Sequence, residues 1–162
     1  MITDFRRLIE VLAQHHVQYI VIGGVALVLH GSARVTRDLD ICYLREPGNL
    51  DAVAAALAPL NPRLRGAPAG LPFRLDGATL RSGLNFTLVT DVGEIDLLGE
   101  VLGVGGYRDL IGDVLWLDVY GHRVAVMGLG ALERAKRSAS RLKDLVDLEE
   151  IVEIRKRTPR PS

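Results

Sequence analysis

Two aspartates separated by one residue form the most informative pattern in the chain. Asp38 and Asp40 lie in residues 35–44, whose composition predicts a strand. Residues two apart on a strand point to the same face, so the two carboxylates lie side by side. At about 4 Å and an effective dielectric of about 20 they repel by roughly 4 kcal/mol. Mg²⁺, which binds carboxylates together with substrate phosphates, would offset that repulsion. Taken alone, the pattern fits a solvated strand face equally well.

Two further features strengthen the interpretation as a metal and phosphate site. Gly23 and Gly24 follow the first predicted strand, where they would let the backbone approach a ligand closely. The helix predicted after them would offer N–H groups to a phosphate, although the glycines also fit a simple tight turn. Asp96 supplies a third carboxylate within an otherwise apolar strand, where aspartate is disfavoured. An edge strand could also explain Asp96, but the three features together indicate a shared site.

This arrangement resembles the nucleotidyltransferase superfamily of the DNA polymerase β type. Within it, the chain is most similar to the minimal nucleotidyltransferases of the AbiEii toxin type, from bacterial toxin–antitoxin systems. The resemblance covers residues 17–155. The matching positions are His30, Gly31, Arg34, Thr36, Asp38 and Asp40 in the first motif, Glu94 and Asp96 in the later strand, and Lys136, Arg141, Lys143, Asp144 and Asp147 in the C-terminal helical segment.

The resemblance implies a set of metal ligands and a set of phosphate contacts. The ligands would be Asp38, Asp40 and Asp96, which hold two Mg²⁺ ions (or Mn²⁺) and, through them, a nucleoside triphosphate. Asp96 would also activate the attacking hydroxyl group. The phosphate contacts would come from Gly23, Gly24, Ser32, Lys136 and Lys143. Both lysines also fit a solvated helix face, where Lys143 could pair with Asp147.

The implied activity is Mg²⁺-dependent transfer of a nucleoside monophosphate from a nucleoside triphosphate. The acceptor would be a hydroxyl of RNA, such as a tRNA end, or of a partner protein in a toxin–antitoxin pair. A glycosyltransferase with a manganese-binding Asp-x-Asp is one alternative, but it leaves Gly23, Gly24 and Asp96 unexplained. The other is a non-catalytic interaction module of a toxin–antitoxin pair. The presence of all three carboxylates argues against that module.

Residue patterns predict an α/β (α+β) chain around one mixed sheet. The resemblance implies the nucleotidyltransferase fold, with a mixed sheet, flanking helices and a C-terminal helical segment. We expect one domain over residues 1–162, with helices in 129–157 packed on it. The predicted helices span residues 4–16, 25–30, 50–60, 129–138 and 141–156, and the strands span 19–22, 35–44, 85–90, 94–98, 115–119 and 123–127. Residues 61–84 are predicted to form a loop with at most a short edge strand. In the last helix, Leu142, Leu145, Val146, Leu148 and Val152 are predicted to form one apolar stripe.

Bulk composition excludes several classes of protein. The chain has 20 basic and 20 acidic side chains among 162 residues, which argues against a dedicated nucleic-acid coat but allows a local basic patch. Its single cysteine excludes a disulfide framework. No segment has the pattern of a signal peptide or a membrane span. We therefore expect a cytoplasmic protein without a membrane partner.

Overall fold

The alternation of apolar and polar residues produces one mixed β-sheet. The computed structural model describes residues 2–139 and 142–158, and the side chains of residues 142 and 143 lie outside that description. Within the described residues the sheet has seven strands. They are β1 (Tyr19–Ile22), β2 (Asp38–Tyr43), β3 (Arg63–Leu64), β4 (Asn85–Thr90), β5 (Gly93–Leu98), β6 (Val114–Val119) and β7 (His122–Met127).

Helices cover the sheet and connect its strands. They are α1 (Phe5–Gln14), α2 (Gly23–Leu29), α3 (Pro47–Leu57), α4 (Gly77–Ser82), α5 (Tyr107–Leu110), α6 (Leu129–Ala139) and α7 (Leu142–Arg157). No helix in the described part of the chain has both the length and the apolar character needed to cross a membrane. These elements confirm the predicted fold class, a mixed sheet with flanking helices and a C-terminal helical segment.

The strand order places the chemically informative strands at the centre of the sheet. The order is β3-β4-β5-β2-β1-β7-β6. β2 is parallel to β5, and β1 is parallel to β7, whereas the other neighbouring strands are antiparallel. Two strands far apart in sequence, β2 and β5, are therefore direct neighbours.

The first helix shows how the sequence covers one face of this sheet. Asp4 caps α1, because its carboxylate accepts a hydrogen bond of 3.0 Å from the backbone N–H of Arg7. The apolar residues at helical spacing, Leu8, Ile9, Val11 and Leu12, are buried. Together α1 and α2 lie over the face that carries Val21 and Leu39. The opposite face carries the aspartates of β2 and lies next to α6.

Several regions differ from the sequence prediction. Helix α2 begins at Gly23, two residues before the predicted start, and β2 begins at Asp38 rather than at residue 35. The predicted loop 61–84 contains the expected short strand β3, but it also contains helix α4, which the prediction missed. Asp76 caps α4 by accepting a 2.8 Å hydrogen bond from the Thr79 N–H. The many prolines and glycines of residues 61–84 favoured the prediction of a loop.

The predicted apolar stripe of α7 was wrong. Leu145, Val146 and Val152 are 54%, 56% and 47% exposed. The face that is buried instead carries Asp144, Asp147, Ile151 and Ile154. Ion pairs explain the difference, because the two buried aspartates bind basic side chains from other parts of the chain. Hydrophobic periodicity alone does not register charges that are buried in pairs.

Candidate metal and nucleotide site

Strand pairing brings the three predicted aspartates together. Asp38 and Asp40 lie two residues apart on β2, and Asp96 lies directly opposite Asp40 on the parallel strand β5. One carboxylate oxygen from each of the three residues lies within 4.8 Å of the others. We call these residues the carboxylate trio. Their separation fits oxygen ligands that share a hard divalent cation.

The centre of the trio lacks positive charge. Burial, together with the charges of Asp38 and Asp96, raises the pKa of Asp40 from its ordinary value of 3.8 to about 8. The Oδ1 atom of Asp40 is buried and has no hydrogen-bond partner among the described residues. A buried carboxylate oxygen without a partner is unfavourable unless a cation or a proton binds it. The three side chains therefore fit a bound divalent cation such as Mg²⁺.

Arg65 reaches the outer side of the trio, and the sequence analysis missed it. Its Nη2 atom donates hydrogen bonds to Asp96 Oδ1 at 2.8 Å and to the carbonyl oxygen of Leu88 at 2.7 Å. Burial raises the pKa of Asp96, and Arg65 acts against that rise. Arg65 directly follows the two-residue strand β3, inside a region rich in glycine and proline. We find no sequence signal that could have placed its side chain near Asp96.

The two glycines make room for the trio and its neighbours. Gly23 has a φ of +65°, and a Cβ atom at this position would overlap the carboxylate of Asp40. A Cβ atom on Gly24 would come within 2.8 Å of Thr36 Oγ1. The sequence analysis assigned the glycines to close approach of a ligand. The structure shows a close approach of the backbone to Asp40 and Thr36.

A pocket of about 310 Å³ adjoins the trio. Besides the three aspartates, its walls are mainly apolar and come from β1, β5, β7, α6 and the segment after β5. The lining residues are Ile22, Gly23, Leu98, Val101, Leu102, Met127, Leu132, Ala135, Lys136, Ala139 and Asp144, together with the trio. The site therefore combines a charged end with an apolar chamber.

Lys136 faces this pocket but is already paired. Its Nζ atom lies 2.9 Å from Asp147 Oδ2 and 3.4 Å from Asp144 Oδ1, and the lysine side chain is only 14% exposed. Burial raises the pKa of Asp147, but hydrogen bonds from Arg34 and Lys136 outweigh that effect and lower it. The structure therefore places Lys136 beside the trio, with its charge balanced by two buried carboxylates.

Of the other predicted phosphate contacts, Gly24 and Ser32 do not line the pocket. Ser32 donates a hydrogen bond to Glu150, and Arg34 binds both Asp147 and Glu150. Ser32 and Arg34 line a separate surface groove against α7. The side chain of Lys143 lies outside the described residues.

Comparison with known proteins gives structural but not sequence matches. No protein-family model matches the chain, and no curated protein matches it in sequence. Among solved structures, the lincosamide antibiotic adenylyltransferase LnuA with lincomycin bound is similar at a TM-score of 0.62 and 16% identity, over 94% of this chain and 98% of the other.

Two more solved structures agree with this match. A putative nucleotidyltransferase from Thermotoga maritima has a TM-score of 0.58 and 14% identity, over 94% of this chain and 96% of the other. An antigenic nucleotidyltransferase-like protein from Paracoccidioides brasiliensis has a TM-score of 0.51 and 14% identity, over 99% of this chain and 80% of the other. The closer similarity to AbiEii-type toxins stays a prediction. The mixed sheet, the carboxylate trio and the structural neighbours all support the same conclusion. The chain has the nucleotidyltransferase fold.

Proposed function

We propose that this protein transfers a nucleoside monophosphate from a nucleoside triphosphate to a hydroxyl group, and that the reaction depends on Mg²⁺. The observation that carries the proposal is the carboxylate trio at the end of a pocket, in a chain with the nucleotidyltransferase fold. Asp38, Asp40 and Asp96 are the proposed metal ligands, for two Mg²⁺ ions or for Mn²⁺ in their place. Bound at the trio, Mg²⁺ supplies positive charge that offsets the negative charge of the triphosphate.

The proposed step is an in-line displacement at the α-phosphorus. The oxygen of the acceptor hydroxyl forms a bond to phosphorus, while the bond to the bridging oxygen breaks and pyrophosphate leaves. Asp96 accepts the proton of the attacking hydroxyl. Asp38 and Asp40 would hold Mg²⁺ and, through it, the triphosphate.

Other residues have supporting roles in this proposal. The apolar walls of the pocket take the nucleoside, because Leu98, Met127 and Leu132 offer it a surface away from water. Gly23 leaves space for the carboxylate of Asp40, and Gly24 leaves space for the side chain of Thr36. Ser32, Lys136 and Lys143 were predicted to contact phosphate. For Lys136 this requires that its Nζ atom exchange Asp144 and Asp147 for the triphosphate.

We propose a hydroxyl group as the acceptor, and three classes of molecule that carry one are candidates. The predicted acceptors are RNA, such as a tRNA end, and a partner protein of a cytoplasmic toxin–antitoxin pair. Because LnuA was solved with lincomycin bound, a small molecule is a third class to test. A non-catalytic interaction module and a glycosyltransferase receive less support. The interaction module leaves the carboxylate trio without a role, and the glycosyltransferase leaves Asp96 and the nucleotidyltransferase fold unexplained.

The decisive experiment follows labelled nucleotide. The full chain is incubated with each α-labelled nucleoside triphosphate and Mg²⁺, and with tRNA, with a cell lysate or with a set of small hydroxylated molecules. We expect label transfer with one acceptor class, its loss in Asp40→Asn and Asp96→Asn, and its retention in Asp91→Asn. Asp91 is a matched control, because it pairs with Arg63 on the surface and its side chain is 57% exposed. Transfer that persists unchanged in both site variants contradicts the proposal.

A binding experiment separates the three function classes. At a hundred times its dissociation constant, a ligand adds about 2.7 kcal/mol to the free energy of unfolding. We expect nucleoside triphosphates with Mg²⁺ to raise the melting temperature. Stabilisation by sugar nucleotides alone would favour a glycosyltransferase. No stabilisation by any nucleotide, with tight binding to a partner protein, would favour the interaction module.

A further inference from the structure

A guanidinium group occupies one side of the carboxylate trio. Arg65 binds Asp96 Oδ1 through Nη2 at 2.8 Å, and its Nε atom lies 3.7 Å from Glu94 Oε1. The arginine side chain is 26% exposed, and that of Asp96 is 19% exposed, so water screens this pair only partly. Among the described residues, Arg65 is the one basic side chain that forms an ion pair with a member of the trio.

The register of the sheet explains this contact. Directly opposite residues on neighbouring strands share a face. Asp40 is opposite Asp96, and Asp96 is opposite Thr87. Arg65 continues the same row, since its backbone N–H donates a 3.0 Å hydrogen bond to the carbonyl oxygen of Thr87. Its side chain therefore extends across Thr87 to Asp96, while the Leu88 carbonyl oxygen holds the guanidinium in place.

The position of Arg65 creates competition for one carboxylate. Asp96 Oδ1 already accepts a charged hydrogen bond from Arg65. A divalent cation bound at Asp96 would also lie close to the guanidinium, and the two positive charges would repel each other. Asp38 and Asp40 have no such neighbour in the described part of the chain.

We infer that Arg65 is a positioning residue that orients Asp96 and competes with a divalent cation for its carboxylate. In the nucleotide-free protein, one cation binds at Asp38 and Asp40, while Arg65 weakens binding of a second cation at Asp96. The negative charge of the triphosphate then favours occupation of the second position. This inference rests on the proposed function, because it assigns the order in which the cations of that site bind.

The test is a Mn²⁺ titration of the metal-free full chain without nucleotide, with free Mn²⁺ followed by electron paramagnetic resonance. Arg65→Met removes the charge but keeps most of the apolar stem. We expect its second Mn²⁺ to bind about tenfold more tightly than that of the wild type. Its kcat for nucleotide transfer should fall, because Asp96 loses its orienting partner. If Arg65 only supported folding, its replacement would weaken both Mn²⁺ binding and nucleotide transfer.

Arg63→Met is the matched control. Arg63 lies two residues away, on β3 itself, pairs with Asp91 and is 44% exposed. We expect it to bind Mn²⁺ and to transfer nucleotide as the wild type does. Arg65→Gln, a second neutral variant, gives the same test if the methionine variant does not fold, as judged by circular dichroism. Arg65→Lys keeps the charge, so its Mn²⁺ affinity should stay closer to the wild-type value than that of either neutral variant.

The outcomes distinguish this inference from the proposed function. If the neutral Arg65 variants bind the second Mn²⁺ no more tightly than the wild type, while the wild type binds metal and transfers nucleotide, the inference about Arg65 is wrong and the proposed function stands. If the wild type neither binds Mn²⁺ nor transfers nucleotide, both are wrong. A kcat that is unchanged in the neutral variants also overturns the positioning role.

Discussion

Removing one charge from the carboxylate trio should stabilise the metal-free protein, and only above acidic pH. Asp40 has a pKa of about 8 in the folded chain, against an ordinary value of 3.8. Between these values the folded state holds a proton on Asp40 that the unfolded chain has released. The proton on Asp40 therefore makes its full contribution to the stability of the folded state below about pH 4. That contribution is lost as the pH rises towards about 8.

Burial of Asp40 and repulsion among the three carboxylates both contribute to the loss, and the repulsion gives its order of magnitude. Two charges about 4 Å apart at an effective dielectric of about 20 repel by about 4 kcal/mol. We expect the metal-free wild type to lose free energy of unfolding on this order between pH 4 and pH 8, while Asp40→Asn does not. The variant and the wild type should be about equally stable at pH 4, because asparagine and protonated aspartate are both neutral.

Urea unfolding followed by circular dichroism in EDTA measures this difference at pH 4, 6 and 8. Asp91→Asn serves as the control, since Asp91 is exposed and its variant should track the wild type. Saturating Mg²⁺ should restore stability to the wild type at pH 8, because the cation replaces the missing positive charge. A difference between Asp40→Asn and the wild type that stays constant across the pH range would refute the reasoning.

Three further predictions test the surroundings of the site. Gly23→Ala and Gly31→Ala should each cost about 1–3 kcal/mol through strain at positive φ. Only Gly23→Ala should also weaken Mn²⁺ binding, because a Cβ at Gly31 meets open space. Lys136→Met should cost about 3–5 kcal/mol in urea unfolding, since it removes the ion pairs that Lys136 forms with the buried carboxylates of Asp144 and Asp147. Ile151→Ala should lower stability by about 2–5 kcal/mol, whereas Val152→Ala, on the exposed side of the same helix, should change it by less than about 1 kcal/mol.

A specific result would contradict each of these three predictions. Equal loss of Mn²⁺ binding in both glycine variants would mean that strain, and not contact with Asp40, is responsible. A Lys136→Met protein as stable as the wild type would mean that the two aspartates find other partners or protons. Similar costs at Ile151 and Val152 would contradict the orientation of α7.

The central part of the fold and site could be predicted because its signals are local. The strand containing Asp38 and Asp40 alternates in polarity, and Gly23 marks the end of the preceding strand. Asp96 stood out because an aspartate inside an apolar strand needs an explanation. These features depend on the period of a strand and on residue type, both of which can be read without knowing which strands are neighbours.

Features that depend on strand register and on long-range ion pairs could not be predicted in the same way. Asp144 and Asp147 looked like the polar side of an amphipathic helix, yet they are 0% and 3% exposed. Their partners, Arg34 and Lys136, come from a loop after α2 and from α6. A buried charge is tolerated only with such partners, and the sequence does not state which partners will meet.

The contact between Arg65 and Asp96 is another feature that could not be predicted from the sequence. The same contact helps to show how a chain without net charge can contain a strongly charged site. The overall charge is zero, but the trio places three carboxylates around a point with one arginine at its edge. Strand pairing alone produces this imbalance, since Asp40, Asp96, Thr87 and Arg65 fall in one row across four successive strands or their ends. A shift of one residue in the β2–β5 pairing would turn Asp96 to the opposite face, beside the buried apolar side chains, and would leave Asp38 and Asp40 without their third carboxylate. The register of these two parallel strands is therefore the structural feature on which the proposed metal site depends.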